Sequence, residues 1–241
     1  MGRWYDTGLI RAAVQVFVIH TPAFDCDAGL AVLSAAEIER ANRYRFDEDR
    51  RRYIAGRASL RRILTERTEI PADRLVISEA EWQKPRLDLP SGAPFVSFNV
   101  SHSGDYVVIA ASNSFEVGVD IEQVRADCPV DDLARRYYAE REHHALRKLP
   151  PERRLQHFYR LWTVKEAVLK CAGLGLSVPP KLVLVEFQPD GNPTVTPADS
   201  APPSLSGLYV RELDLAAGYV SAVAAQVNYA EIEILNRKYS A

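Results

Sequence analysis

Asp120 and Glu122 stand two apart in the run GVDIEQV, residues 118–124. A strand there puts both carboxylates on one face and turns Val119 and Ile121 to the other. Two acids side by side repel, and burying them demands compensation. Either solvent covers that face, or a hard divalent cation does, since Mg2+ takes one or a few carboxylates together with waters and substrate phosphates. A second charged set lies in Phe158 to Leu176, FYRLWTVKEAVLKCAGLGL, where Trp162, Glu166 and Lys170 recur every fourth residue. That spacing stacks them along one side of a helix. A carboxylate and an ammonium beside a buried helical face are either a solvated pair or a site, and solvated pairs are the commoner case.

Asn99-Val-Ser-His102-Ser-Gly104 follows an apolar run, and Ser101 to Gly104 reads as a polar turn. A histidine between serines, with free backbone N–H groups, can bind a phosphate. The alternative is a turn whose serines bond their own backbone. Residues 40–67 carry ten arginines against Asp47, Glu48, Asp49 and Glu66. That surplus suits a phosphate-bearing ligand, or simply a solvated arginine-rich helix. The sequence contains no GxxxxGKS or GxxxxGKT, no strand followed by GxGxxG, no GxSxG and no metal-spaced histidine pair. The common nucleotide cradles, a serine nucleophile and a zinc hydrolase are therefore without support.

Positioning these groups falls to a mixed set of elements. Val14 to His20 alternates and is a first strand; Ser34 is an N-cap for a helix over Ala35 to Phe46, with Glu37 placed for a capping box. A second helix spans Asp47 to Arg67, acidic at its start as the helix dipole prefers. Leu75 to Ser78 is a short strand, and Glu81 to Pro94 a loop broken by three prolines. Phe95 to Val100, Tyr106 to Ala111 and Val117 to Val124 are strands, and the last two are almost continuously apolar. Helices follow over Asp131 to Tyr138, Glu140 to Leu149 and Glu152 to Ala172. Further strands lie at Leu182 to Gln188, Leu208 to Leu213, Tyr219 to Gln226 and Glu231 to Leu235, with Pro189 to Ser206 a turn and a loose connection. A strand, an Ala-Glu helix start (Ala36-Glu37, Ala139-Glu140) and a long helix occur twice, about a hundred residues apart. Two α/β halves meeting near residues 112–118 would place a ligand cleft between them.

The chain of 241 residues is 47% hydrophobic and 26% charged, with a formal net charge of −2, which is ample for a core and argues against a general nucleic-acid coat. Cys26, Cys128 and Cys171 show no CxxC spacing and read as reduced thiols of a cytoplasmic protein. The first twenty residues lack the long apolar core of a signal peptide, and no later run is long enough to span a bilayer.

Taken in order, FNVSHSGDYVVIAAS, VGVDIE and FYRLWTVKEAVLKCAGLGL closely resemble the Sfp-type 4′-phosphopantetheinyl transferases. The similarity runs from roughly Leu33 to the end. Lys84-Pro85 looks like the family's Lys-Pro element, with Gln83 where many members have Gly, and Ala217 to Val223 fits its closing strand. The resemblance implies an α+β fold of two similar α/β halves related by a pseudo-twofold axis, 1–112 and 113–241, with a cleft between them, in a monomer. It implies transfer of the 4′-phosphopantetheine arm of coenzyme A to a serine of an apo acyl or peptidyl carrier protein, releasing 3′,5′-ADP. By the same likeness Asp120, Glu122 and Glu166 match the acids that bind Mg2+, with Mn2+ an alternative, and Glu166 matches the proposed general base. Lys170 matches the lysine near the phosphates. Ser101 and His102 match the turn contacting the 3′-phosphate of coenzyme A, Arg40 and Lys84 match basic coenzyme-A-binding positions, and Arg52 matches more loosely. Trp162 reads as core. An acidic carrier helix would dock on Arg125 to Tyr138, with Arg135, Arg136, Tyr137 and Tyr138. Two rivals stay open at this point: a non-catalytic coenzyme A or carrier-binding module, and a metal-dependent phosphodiesterase acting on nucleotides.

Overall fold

A computed structural model describes residues 13–78, 84–226 and 231–236. The β-branched alternation at the start of that range forms β1 (Ala13–His20), followed by a one-turn α1 (Cys26–Leu30). Ser34 caps α2 (Ala35–Asn42) through the reciprocal capping box with Glu37. This helix stops four residues short of the expected Phe46, which instead precedes α3 (Asp47–Thr68) in extended conformation. Glu37 also accepts from Arg57 and, at 2.6 Å, from Arg61, so α2 is tied to α3 by a buried carboxylate between two guanidiniums. These bonds outweigh burial and hold the Glu37 carboxyl below its usual range.

Beyond α3, β2 (Val76–Ser78) pairs with β3 (Arg86–Asp88), a strand inside the segment read as loop. Pro85 and Pro90 bracket it, so only three residues between them pair. Gln83 lies outside the described residues. Next come β4 (Ser97–Ser103) and β5 (Tyr106–Ser112), an antiparallel hairpin in which β5 also pairs with β1.

The second half begins with β6 (Val117–Gln123), then α4 (Val130–Tyr137), α5 (Glu140–Lys148) and α6 (Pro151–Cys171). β7 (Val183–Phe187) pairs with β8 (Pro193–Pro197), so the stretch read as a loose connection contains a strand. Its Thr194-Val195-Thr196 centre is β-prone, and the flanking prolines fall at the strand's ends, where a missing N–H is tolerated. β9 (Tyr209–Leu213) and β10 (Tyr219–Ala225) complete a sheet of order β6-β10-β9. The last strand, β11 (Glu231–Asn236), crosses back to lie parallel to β1, giving the first sheet the order β11-β1-β5-β4.

Each half has its own core, one of α3 against Phe17, Ile19, Val107 and Ile109, the other of α6 against β10 and its neighbours. A third apolar cluster joins them: Val14, Val16, Val108 and Ala110 of the first sheet pack on Val117, Val119, Ile121 and Val223 of the second. Thus β1 and β5 are buried on both faces, which explains their continuous apolar character. No described helix is long and apolar enough to cross a membrane. The architecture is α+β, as expected, with two sheet-and-helix halves packed face to face.

Candidate active site

Gly118 lets α6 lie directly on β6. A Cβ at that position would overlap the carbonyl oxygen of Ala167 and the amide nitrogen of Cys171, both backbone atoms. Because the helix comes this close, Glu166 and Lys170, one turn apart on α6, reach Asp120 and Glu122 on β6. The Lys170 ammonium is 2.6 Å from Asp120 Oδ1 and donates to Ser101 Oγ at 3.2 Å. Burial works against that charge, but Asp120, Glu166 and Glu122 outweigh it and raise the Lys170 pKa.

Glu166 is almost completely buried. Desolvation pushes its carboxyl up to about 7, Lys170 opposes the shift, and the charges of Asp120 and Glu122 add to it. Glu122 is likewise raised by burial and by Asp120, against hydrogen bonds from Ser103 and the Trp162 indole. Asp120 Oδ2 and Glu166 Oε1 are buried without a hydrogen-bond partner. Among the described residues no three Asp, Glu, His or Cys side chains are already drawn together as a metal-holding group. The three acids share one electrostatic environment, with Lys170 against Asp120.

β4 extends to Ser103, so the expected turn at Ser101 to Gly104 is corrected: only Gly104 and Asp105 turn, and Ser101 and His102 pair with Val108 and Val107. Both residues lie in the extended backbone of the hairpin and do not form an anion nest. As neighbours in a strand, Ser101 and His102 point to opposite faces. The Ser101 hydroxyl donates to Asp120 Oδ1 at 2.8 Å and is occupied on the acid side. His102 lines a cavity of about 320 Å³ with Arg40, Tyr44, Arg52, Tyr53 and Pro85. There Arg52 donates to the Gly104 carbonyl at 3.0 Å, and the Arg40 guanidinium lies over the Tyr53 ring at 5.3 Å. His102 is exposed at this cavity, with protein packed around it. That desolvation, then the charges of Arg52 and Lys170, hold it below the usual imidazole range.

Lys84 departs from the expected arrangement. Its ammonium bonds Ser97 Oγ at 3.1 Å, Glu116 Oε2 at 2.6 Å and the Val117 carbonyl at 2.7 Å, so its three donors are spent between the halves. Pro85, beside it, forms part of the cavity wall.

The family profile described as 4′-phosphopantetheinyl transferase superfamily matches residues 116–224, and that described as 4′-phosphopantetheinyl transferase, N-terminal, matches residues 23–114. The 4′-phosphopantetheinyl transferase ffp of Bacillus subtilis is 30% identical over 203 residues, covering 83% of this chain and 85% of that protein. The chain belongs to the 4′-phosphopantetheinyl transferase family. The family's HetI from Nostoc sp. is 37% identical over 147 residues, or 61% of this chain, and the chain spans 62% of HetI's length. A crystal structure of a holo-(acyl-carrier-protein) synthase from Bacillus anthracis in complex with coenzyme A is 18% identical with a TM-score of 0.39, covering 46% of this chain and 94% of that one.

Within this chain, several residues of the site's framework escape a reading of the sequence. Lys165, next to Glu166, is fully buried, bonded to Glu142 at 2.9 Å and to the carbonyls of Pro180 and Val183. It fastens α5, α6 and the start of β7 together. Trp162, read as core, packs against Tyr137 and Phe158, and its indole works against the upward shift of the Glu122 carboxyl. Arg135 and Arg136 are exposed, but Tyr138 is buried with its hydroxyl donating to the Phe158 carbonyl at 2.7 Å, so it leaves the set of docking residues. Lys165 gives no signal beyond its place in the run WTVKEA.

Proposed function

We propose that this chain transfers the 4′-phosphopantetheine arm of coenzyme A to a serine hydroxyl of an apo acyl or peptidyl carrier protein, releasing 3′,5′-ADP. The observation that carries the reading is Glu166: a buried carboxyl whose Oε1 lacks a donor, on the same helix face as the Lys170 that pairs with Asp120. The family relationship supports it, and so does the basic cavity of His102, Arg52 and Arg40 on the other face of β4.

The acid cluster fits Mg2+, with Mn2+ an alternative. Asp120 Oδ2 and Glu166 Oε1 are buried acceptors lacking a donor, and hard oxygens are what these ions take. Asp120, Glu122 and Glu166 would hold the ion, which when bound supplies charge stabilisation to a diphosphate. Glu166 takes the proton of the carrier serine as general base. Lys170 offsets negative charge on the phosphates as the serine oxygen displaces 3′,5′-ADP. His102, Arg52 and Arg40 hold the phosphates of coenzyme A, while Lys84 and Ser101 act from the seam between the halves.

The division at 112/113 is supported by the two separate sheets, β11 being the segment that returns to the first. With both halves in one chain the reading needs no second copy, and the protein works as a monomer. The acidic helix of the carrier docks near Arg135 and Arg136. Incubation with coenzyme A, Mg2+ and an apo carrier tests the proposal by intact mass: the carrier gains the phosphopantetheine arm. A carrier of unchanged mass beside hydrolysed coenzyme A would indicate a phosphodiesterase, and neither change a binding module.

A further inference from the structure

The two sheets meet along β4 and β6 without a main-chain ladder. In its place, every second side chain of β4 accepts a backbone N–H of β6. Ser97 Oγ takes Val117 at 3.3 Å, Asn99 Oδ1 takes Val119 at 2.9 Å, Ser101 Oγ takes Ile121 at 3.4 Å and Ser103 Oγ takes Gln123 at 3.0 Å. Each serine hydroxyl also donates to the carboxylate one residue earlier in the chain. Ser97 reaches Glu116 at 2.8 Å, Ser101 reaches Asp120 at 2.8 Å and Ser103 reaches Glu122 at 2.7 Å. At the Asn99 rung the residue one earlier is Gly118, which has no side chain to receive a donor, and an amide oxygen replaces the hydroxyl.

We infer that β4 is a positioning strand whose hydroxyls fix which oxygen of Asp120 and of Glu122 is left for the cation. A hydroxyl has one proton to give and lone pairs to receive. With the β6 N–H on a lone pair, the proton of Ser101 and of Ser103 is directed to the adjacent carboxylate. On Asp120 that commits Oδ1, together with Lys170, and leaves Oδ2 buried and unpaired. On Glu122 it commits Oε2. Ser103 is therefore a positioning residue for Glu122, acting on cation affinity without touching substrate. Hydrogen-bonded outer partners of this kind typically change metal affinity 10–100-fold when removed.

The inference rests on the assignment of Asp120, Glu122 and Glu166 to a divalent cation. Its test is direct Mn2+ binding, read by the EPR signal of free Mn2+ with saturating coenzyme A, on wild type, Ser103→Ala, Ser103→Thr and Ser97→Ala. Ser97→Ala breaks the same kind of rung at Glu116, away from the cluster, and controls for loosening of the seam. Ser103→Ala weakens Mn2+ binding about 10-fold or more, Ser103→Thr restores it, and Ser97→Ala leaves it at the wild-type value. Equal weakening by Ser103→Ala and Ser97→Ala, or no weakening by Ser103→Ala, overturns the positioning role while wild-type binding keeps the cation assignment standing. Failure of the wild type to bind Mn2+ overturns the cation assignment and the inference together.

Discussion

The Lys170 ammonium and the Asp120 carboxylate lie 2.6 Å apart, one on α6 and one on β6, with Asp120 only 4% exposed at its side chain. A buried carboxylate left without its partner is costly, so Lys170→Met is expected to destabilise the chain by about 3–5 kcal/mol in EDTA. Urea unfolding with and without Mg2+ checks this: Mg2+ should restore part of the loss if the same carboxylate serves the cation.

Gly118 sets the distance between those two elements. Gly118→Ala forces α6 away from β6, because the atoms it meets are backbone and cannot turn aside. Overpacking of this kind costs about 1–3 kcal/mol, and a displacement near 1 Å is worth about 100-fold in rate. The expected signature is a large fall in kcat/KM from a residue that makes no polar contact with substrate, measured beside thermal stability.

Glu166 carries the pH dependence. Its carboxyl is raised from the ordinary 4.5 to about 7, so across that window the folded chain keeps a proton the unfolded chain has released. Stability therefore falls as pH rises from 4.5 to about 7, by about 3 kcal/mol in all for this group. In EDTA, Glu166→Gln is expected to raise the melting temperature at pH 8 and to change it little at pH 4. The same substitution should slow transfer far more than it weakens coenzyme A binding.

His102 stands with Arg52 and Arg40 in the basic cavity. His102→Ala is expected to raise KM for coenzyme A by about 10-fold, the value of a charge-assisted contact. With 3′-dephospho-coenzyme A the change should be much smaller. An equal penalty with both substrates would remove the 3′-phosphate contact.

Lys165 separates framework from chemistry on the same helix. Lys165→Met leaves the buried Glu142 with the N–H groups of Ala139 and Val185 but without its cation, at a cost of about 3–5 kcal/mol. At a temperature where the variant remains folded, its KM for coenzyme A should match the wild type.

Much of this site was legible in the sequence. The paired acids of β6 and the one-turn spacing of Trp162, Glu166 and Lys170 are short-range geometry, and the structure keeps both on the expected faces. The Ser34–Glu37 capping box is equally local. What failed to show depends on partners distant in the chain. Ser101, His102 and Ser103 carry the composition of a turn, and only the β6 N–H groups twenty residues on make their alternation a seam. Lys165 looks like a solvated charge until Glu142 and two carbonyls enclose it. Lys84 matches a ligand-binding position by motif, yet Glu116 claims its ammonium, a pairing no spacing rule reveals.

In the proposed site one divalent cation is held jointly by β6 and α6. Crystals grown with coenzyme A and Mn2+, and measured for anomalous scattering, test it without reference to turnover. A single strong Mn2+ peak in contact with Asp120, Glu122 and Glu166 is expected. A peak bound elsewhere, or one touching the β6 acids with Glu166 turned away, would contradict it.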